Sequence, residues 1–168
     1  SKNYDYLIDC TWGHYGNMEN VIYEASLLLK IQKLSNIDDA LTFVDGNLCS
    51  LYPTQDEDIY TLSSVLYTPL KVSNNAKELE DYIHNIANSD YVQRQGEKMI
   101  EHIETYYPKF RQSWKLFDYQ ISIKTKPINE SADRSCSVVQ SGCKIFVHSG
   151  KIDTIFYAAE RIIKIISG

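Results

Sequence analysis

The side chains that could hold a metal or attack a substrate are few and scattered. His14, His84, His102 and His148 never fall at metal-ligand spacing, and no C-x2-C pair exists among Cys10, Cys49, Cys136 and Cys143. Cys136, Cys143 and His148 could converge in a hairpin, but packing alone brings hairpin residues together, and no metal is expected. Cys10 beside Thr11 could be an activated thiol with a cation near it. None is evident, and a buried packing role is the expectation. The seven glycines, at positions 13, 16, 46, 96, 142, 150 and 168, are never spaced as G-x-G. A dinucleotide fingerprint and a Walker loop are thereby excluded, so these residues cannot by themselves cradle a pyrophosphate in the usual way. Asn129-Glu130-Ser131 matches the glycosylation acceptor, a common chance match. No complete catalytic centre is present.

Two loops are not explained by folding alone. One is Thr11-Trp12-Gly13-His14-Tyr15-Gly16, and the other is His148-Ser149-Gly150-Lys151-Ile152-Asp153. A Ser-Gly turn that opens a helix points free backbone N–H groups and a positive dipole end forward, which suits an anionic or electron-rich ligand edge. An ordinary N-terminal turn capped by Asp153 or Ser149 is the plainer alternative, and pattern alone leans to it.

The elements that must position these loops read as an α+β domain. Tyr4 to Cys10 alternates into a short strand, and Val21 to Ile31 into a long half-buried one. Leu41–Val44 and Leu48–Tyr52 flank Asp45-Gly46-Asn47, where Asp-Gly supplies the positive φ of a tight hairpin. An acidic turn then leads to a β-rich run from Ile59 to Tyr67, so four strands in succession predict an antiparallel sheet. Asn75 with Glu78 resembles a capping box opening a helix with Leu79, Tyr82, Ile83 and Ile86 at helical spacing. A second helix from Asp90, with Met99, Ile100, Ile103 and Tyr107 on one face, stops at Pro108. The pair is expected to cover one face of the sheet. Period two returns after Trp114, followed by a turn-rich loop to Arg134 and two short strands, Cys136–Val139 and Cys143–His148. A last helix from Asp153 carries Ile155, Phe156, Ala159, Ile162, Ile163 and Ile166 on a broad apolar face expected to be buried.

At 168 residues and 19.4 kDa the chain fits one domain, able to bury about two thirds of its unfolded surface. Its net charge of −5, with Lys and Arg dispersed, gives no basic footprint and disfavours nucleic acid as a partner. No apolar run approaches the ~20 residues that span a bilayer, so no membrane is expected. No basic stretch followed by an apolar one marks the start for secretion, so the expected compartment is the cytoplasm and the cysteines are expected to be reduced.

The run Cys143-Lys144-Ile145-Phe146-Val147-His148-Ser149-Gly150-Lys151-Ile152-Asp153-Thr154-Ile155-Phe156, followed by Ala158-Ala159-Glu160, resembles the C-terminal end of flavoproteins of the D-amino-acid oxidase superfamily. In that family a strand, a Gly-containing turn and a final helix close the flavin site. Tyr4-Asp5-Tyr6-Leu7-Ile8-Asp9-Cys10-Thr11-Trp12-Gly13 is similar to the strand that leads from the family's nucleotide domain into its substrate domain. The resemblance covers nearly the whole chain in order. It implies the substrate domain of that family, an antiparallel sheet covered on one face by helices with a C-terminal helix. Residues 1–13 and 149–168 would then belong to a nucleotide-binding domain otherwise missing, whose Gly-rich unit these residues do not contain. It also implies FAD in the full-length parent, with Thr11, Trp12, Gly13, Ser149, Gly150, Lys151 and Ile152 near the cofactor.

On this reading the parent moves a hydride equivalent from a C–H of an amine or amino-acid-like small molecule to the flavin, and this chain alone is inactive. Arginine is the natural clamp for a substrate carboxylate. Arg94 and Arg161 lie in helices and Arg111 follows one, which leaves Arg134 as the candidate; a surface residue paired with Asp133 is the alternative. Among thirteen tyrosines, Tyr52 on the sheet is the second substrate-facing candidate, offering an apolar wall with a hydroxyl handle. A free-standing, non-catalytic α+β module that binds a ligand or a protein is the competing reading. A strand followed by G-x-G-x-x-G about 200 residues upstream would decide for the first. Deprived of a nucleotide domain, the apolar ends of the chain (Tyr6 and Ile8, with Ile155, Phe156, Ile162, Ile163 and Ile166) would form an exposed patch, and a homodimer through them is expected.

Overall fold

The computed structural model describes residues 4–13, 20–35, 40–44, 46–128, 135–148 and 152–168, Ile152 by its backbone only. Their order is β1 (Leu7–Asp9), β2 (Val21–Lys33), β3 (Leu41–Phe43), β4 (Cys49–Pro53), β5 (Ile59–Ser64), β6 (Pro69–Ser73), α1 (Ala76–Ile86), α2 (Asp90–Tyr106), α3 (Phe110–Ser113), β7 (Trp114–Pro127), β8 (Ser137–Ser141), β9 (Lys144–His148) and α4 (Ile155–Ser167). A 3-10 turn over Ile152–Thr154 precedes α4. The chain forms two units, Glu24–Lys124 and a smaller one made of Ser1–Tyr23 with Thr125–Gly168.

In the larger unit the period-two pattern of the sequence becomes a sheet ordered β3-β4-β5-β2-β6, with β7 also paired to β2. Antiparallel register aligns Leu29, Leu62, Leu51 and Leu41 in one row across four strands. That row meets Met99, Ile100 and Ile103 of α2 in the main core, together with Phe110 and Trp114. The next row, Lys30, Thr61 and Tyr52, falls on the opposite face because side chains alternate. The antiparallel sheet with its helical pair is therefore as the sequence predicts. So is the β3–β4 hairpin, where Gly46 has φ +88°.

Within this unit, β5 and α1 differ from expectation. β5 ends at Ser64 rather than at Tyr67, because the Tyr67 and Thr68 amides turn back to the Ser64 carbonyl and the Thr68 hydroxyl accepts from the Ser64 N–H. The chain then forms β6, a fifth consecutive strand that its opening proline conceals. At α1, Asn75 caps the Lys77 and Glu78 amides, but Glu78 does not reach back to close a capping box. Its carboxylate accepts instead from Ser73 Oγ and pairs with Lys71 Nζ, each at 2.6 Å.

The smaller unit holds a three-stranded sheet, β1-β9-β8. Gly142, at φ +60°, turns β8 into β9. The leading strand is shorter than the predicted Tyr4–Cys10, and it lies parallel to β9, with Leu7 opposite Lys144 and Asp9 opposite Phe146. Helix α4 packs Ala158, Ile162 and Ile165 onto Ile145 and Val147. The expected burial of its whole apolar face is not met: Ile155, Phe156, Ile163 and Ile166 are exposed, Phe156 by 79%. One sheet face is narrower than the apolar arc of the helix.

Candidate functional site

The loop after β1 is held in a conformation that side chains seldom choose. Trp12 has φ +59° and Gly13 φ +74°. For tryptophan the left-handed region costs about 1–2 kcal/mol. Three side chains clamp it. Asp9 accepts from the Thr11 amide at 2.9 Å and from its hydroxyl at 2.6 Å. The Tyr23 hydroxyl donates to the Gly13 carbonyl at 2.9 Å, and the Thr125 hydroxyl donates to that of Trp12. At about 1 kcal/mol each, these bonds are enough to offset the strain.

Facing this loop, the ring centroid of His148 lies 5.8 Å from that of Trp12, the planes tilted by 54°. His148 ends β9 and is 3% exposed, and its Nε2 is buried without a hydrogen-bond partner among the described residues. Burial pushes its pKa below the ordinary histidine value, while a hydrogen bond to the Thr125 backbone opposes that shift. The ring is therefore neutral near pH 7. Thr125 thus serves both the loop and the histidine.

Of the residues singled out in the sequence, Thr11, Trp12 and Gly13 stand together beside His148. Ser149, Gly150, Lys151 and Arg134 lie outside the described residues, as do His14 to Gly16. Ile152 starts the 3-10 turn, and the helix cap falls at Thr154, whose side chain does not cap the helix amides, rather than at Asp153. Tyr52 belongs to the larger unit, on the sheet face away from the helices, with its hydroxyl 2.6 Å from Thr42 Oγ1. Cys10 is exposed, not buried. Burial raises the Cys136 thiol, against a hydrogen bond with Thr154, so it is no ready nucleophile. Arg111 is engaged by Glu97 and Glu104. Among the described residues no cluster of His, Cys, Asp and Glu could hold a metal. His148, named in the sequence only as the first residue of the second loop, is the side chain the structure adds beside Trp12. Its signal was a histidine closing an apolar strand immediately before a Ser-Gly turn.

No protein-family model matches the chain. The FAD-dependent monooxygenase FPY4 of Fusarium mangiferae is 40% identical over 166 residues, which is 98% of this chain and 44% of that protein. The chain thus spans less than half the length of this relative. A crystal structure of an FAD-dependent oxidoreductase from Pseudomonas aeruginosa matches with a TM-score of 0.53 over 88% of this chain and 38% of its own, at 10% identity. That likeness speaks for the fold. Over nearly its own whole length the chain is similar in sequence to one part of that monooxygenase, and in fold to one part of the Pseudomonas oxidoreductase.

Proposed function

We propose that the chain is the substrate-binding portion of an FAD-dependent oxidoreductase acting on an amine or amino-acid-like substrate, with its smaller unit supplying residues that meet the flavin. The observation that carries this reading is the clamped, left-handed Trp12-Gly13 turn set against a buried histidine with an unused nitrogen. Folding of the small sheet needs neither feature, and strain fixed by three clamps is characteristic of a site built for something else. An FAD-dependent relative at 40% identity supports flavin as that something.

The residues present suit one edge of such a cofactor. Trp12, 43% exposed, offers an apolar wall, and Thr11, Gly13 and His148 line the same corner. Ser149, Gly150, Lys151 and Ile152 follow His148 directly in the chain and complete the candidate set. Flavin, when bound, accepts the hydride equivalent that leaves the substrate C–H. This chain's part is to hold and orient. The outer row Lys30, Thr61 and Tyr52, with Thr42, gives the larger unit a hydroxyl-bearing face for a small polar molecule. Arg134 is the candidate fork for a substrate carboxylate. The pyrophosphate contacts must come from sequence beyond this chain, since no Gly-rich phosphate loop occurs in it.

The test compares the chain alone with a chimera joining it to the part of the Fusarium protein it does not match. The chimera is expected to purify with stoichiometric flavin absorbance and to oxidise an amine, and the chain alone to be colourless and inactive. A folded but colourless chimera would sink the flavin reading. Flavin retained by the chain alone would sink the claim that it is an incomplete part.

A further inference from the structure

We propose that Lys30 is the cation that receives a carboxylate of the substrate, so that the small molecule taken by the larger unit is an organic acid. This rests on the substrate-binding reading above and names the charge of the group that meets the sheet. Alternation puts Lys30 on the sheet face away from the helices, in register with Thr61, which is in turn in register with Tyr52. Thr42, Ser50 and Ser63 form the neighbouring row of that face. Tyr52 and Thr42 are exposed and Lys30 and Thr61 half-buried, so the row is open to a ligand.

The charges around Lys30 leave it unmatched. Lys33, at the end of the same strand, pairs with Asp58 at 3.8 Å, whereas the Lys30 ammonium makes no ion pair or hydrogen bond among the described residues. Strands β3, β4 and β5 carry no Asp or Glu. On β7, which also pairs with β2, the one acid is Asp118, and its carboxylate accepts from the Tyr119 amide at 2.8 Å. Glu24 shares the face of β2 but stands about 20 Å back along the strand, where it accepts from Ser26 at 2.7 Å. A half-buried ammonium so placed loses hydration without gaining a counter-charge, a cost that an incoming carboxylate offsets. The hydroxyls extend the match. That of Tyr52 can donate outward while accepting from Thr42, 2.6 Å away, and that of Thr61 is held only by a 3.5 Å contact with the Tyr52 carbonyl. Backbone N–H groups inside the sheet are spent in its ladder, so the donors lie in a line rather than in the concave nest that suits phosphate. A planar carboxylate, one oxygen toward Lys30 and the other toward Thr61, fits that line. An ammonium group finds no acid in the row.

The test titrates the full chain, labelled with 13C and 15N, with sodium acetate, and in parallel with sodium chloride and methylammonium chloride at equal ionic strength. The expected result is that the Lys30 Cε–Hε resonance and the Thr61 and Tyr52 amides move saturably with acetate and with neither control. Lys30→Gln should weaken the acetate response roughly tenfold or more, the fold-change of one lost charge-assisted hydrogen bond. Lys30→Arg, which keeps the charge, should stay within about threefold. Thr61→Val should weaken it about threefold. Should Lys30→Gln not fold, the wild-type titrations decide. Equal movement with chloride overturns the inference, because it reports screening and not a site, and so does movement with methylammonium. A response that survives Lys30→Gln but is lost in Arg134→Gln also overturns it, by moving the clamp to Arg134. Flavin uptake by the chimera is independent of these outcomes, so a failure at Lys30 and a failure of the flavin reading are told apart.

Discussion

Gly96 lies where α2 crosses the sheet, and a Cβ there would stand 2.6 Å from Tyr119 Cε1 and 3.1 Å from Leu29 Cδ2. Gly96→Ala should therefore cost about 1–3 kcal/mol by overpacking. Gly142→Ala, with no atom within 4 Å but φ +60°, should cost only about 1–2 kcal/mol. Urea denaturation of the two variants measures both. Nothing in the sequence separates these glycines, since a helical glycine reads only as a propensity penalty until its neighbours across the interface are known. His102 was equally opaque. It is buried, with Nδ1 2.9 Å from Ser64 Oγ and the rings of Tyr67 and Tyr106 around it. Burial lowers its pKa, so the unfolded chain takes up the proton first as pH falls. Its contribution is intact above the ordinary value of about 6.5, declines as pH drops through that value, and levels off below the folded one. His148 adds a decline of the same sign. The urea midpoint should fall between about pH 7.5 and 5.5, and His102→Gln should flatten that slope. A pH-independent midpoint would contradict the assigned burial.

Helix α4 carries the clearest lesson at the scale of the element. Its apolar residues fill roughly half the circumference, wider than a single packing contact needs. The 3.6 period located that arc in the sequence but could not say which part meets the sheet. Ala158, Ile162 and Ile165 do, while Ile163 is 61% exposed. Ile162→Asp should then cost about 3 kcal/mol or more, and Ile163→Asp within about 0.5 kcal/mol, measured by thermal unfolding of soluble protein. Equal effects would mean the helix is rotated from the described orientation. Strands were legible where alternation ran long, as in β2 and β7. They were not at β6, which is short and begins with proline, nor at the ends of β1, where Tyr4 to Cys10 alternates beyond the three residues that pair. Residues 23 to 27 of β2 exceed the half-buried expectation, since Glu24 and Ser26 are buried along with Tyr23, Ala25 and Leu27.

For the whole molecule, the α+β class and the antiparallel order were readable because they follow from local periodicity and turn chemistry. The division into two units was not, because β2 and β7 each run across the boundary without a change of pattern. No described helix is long and apolar enough to cross a membrane. The uncovered side of α4 and the open edge of β1 call for a partner surface, and we propose that in the parent the nucleotide-binding portion covers them. In the isolated chain a second copy is expected to do so. Sedimentation at tens of micromolar should then give a dimer, and the Phe156→Glu, Ile163→Glu double variant a folded monomer. A monomeric wild-type chain would remove this expectation. The pairing of β1 with β9 also has a temporal meaning, for it joins residues near the first to residues near the last. A ribosome releases β1 long before its partner exists, so the larger unit can form while the small sheet waits, a closure of very high contact order. A chain ended after Pro127 should therefore keep the cooperative unfolding of the larger unit. Its amides at Leu7 to Asp9 should exchange as freely as those of an unstructured peptide, and protection there would show that the first strand finds its place without the last.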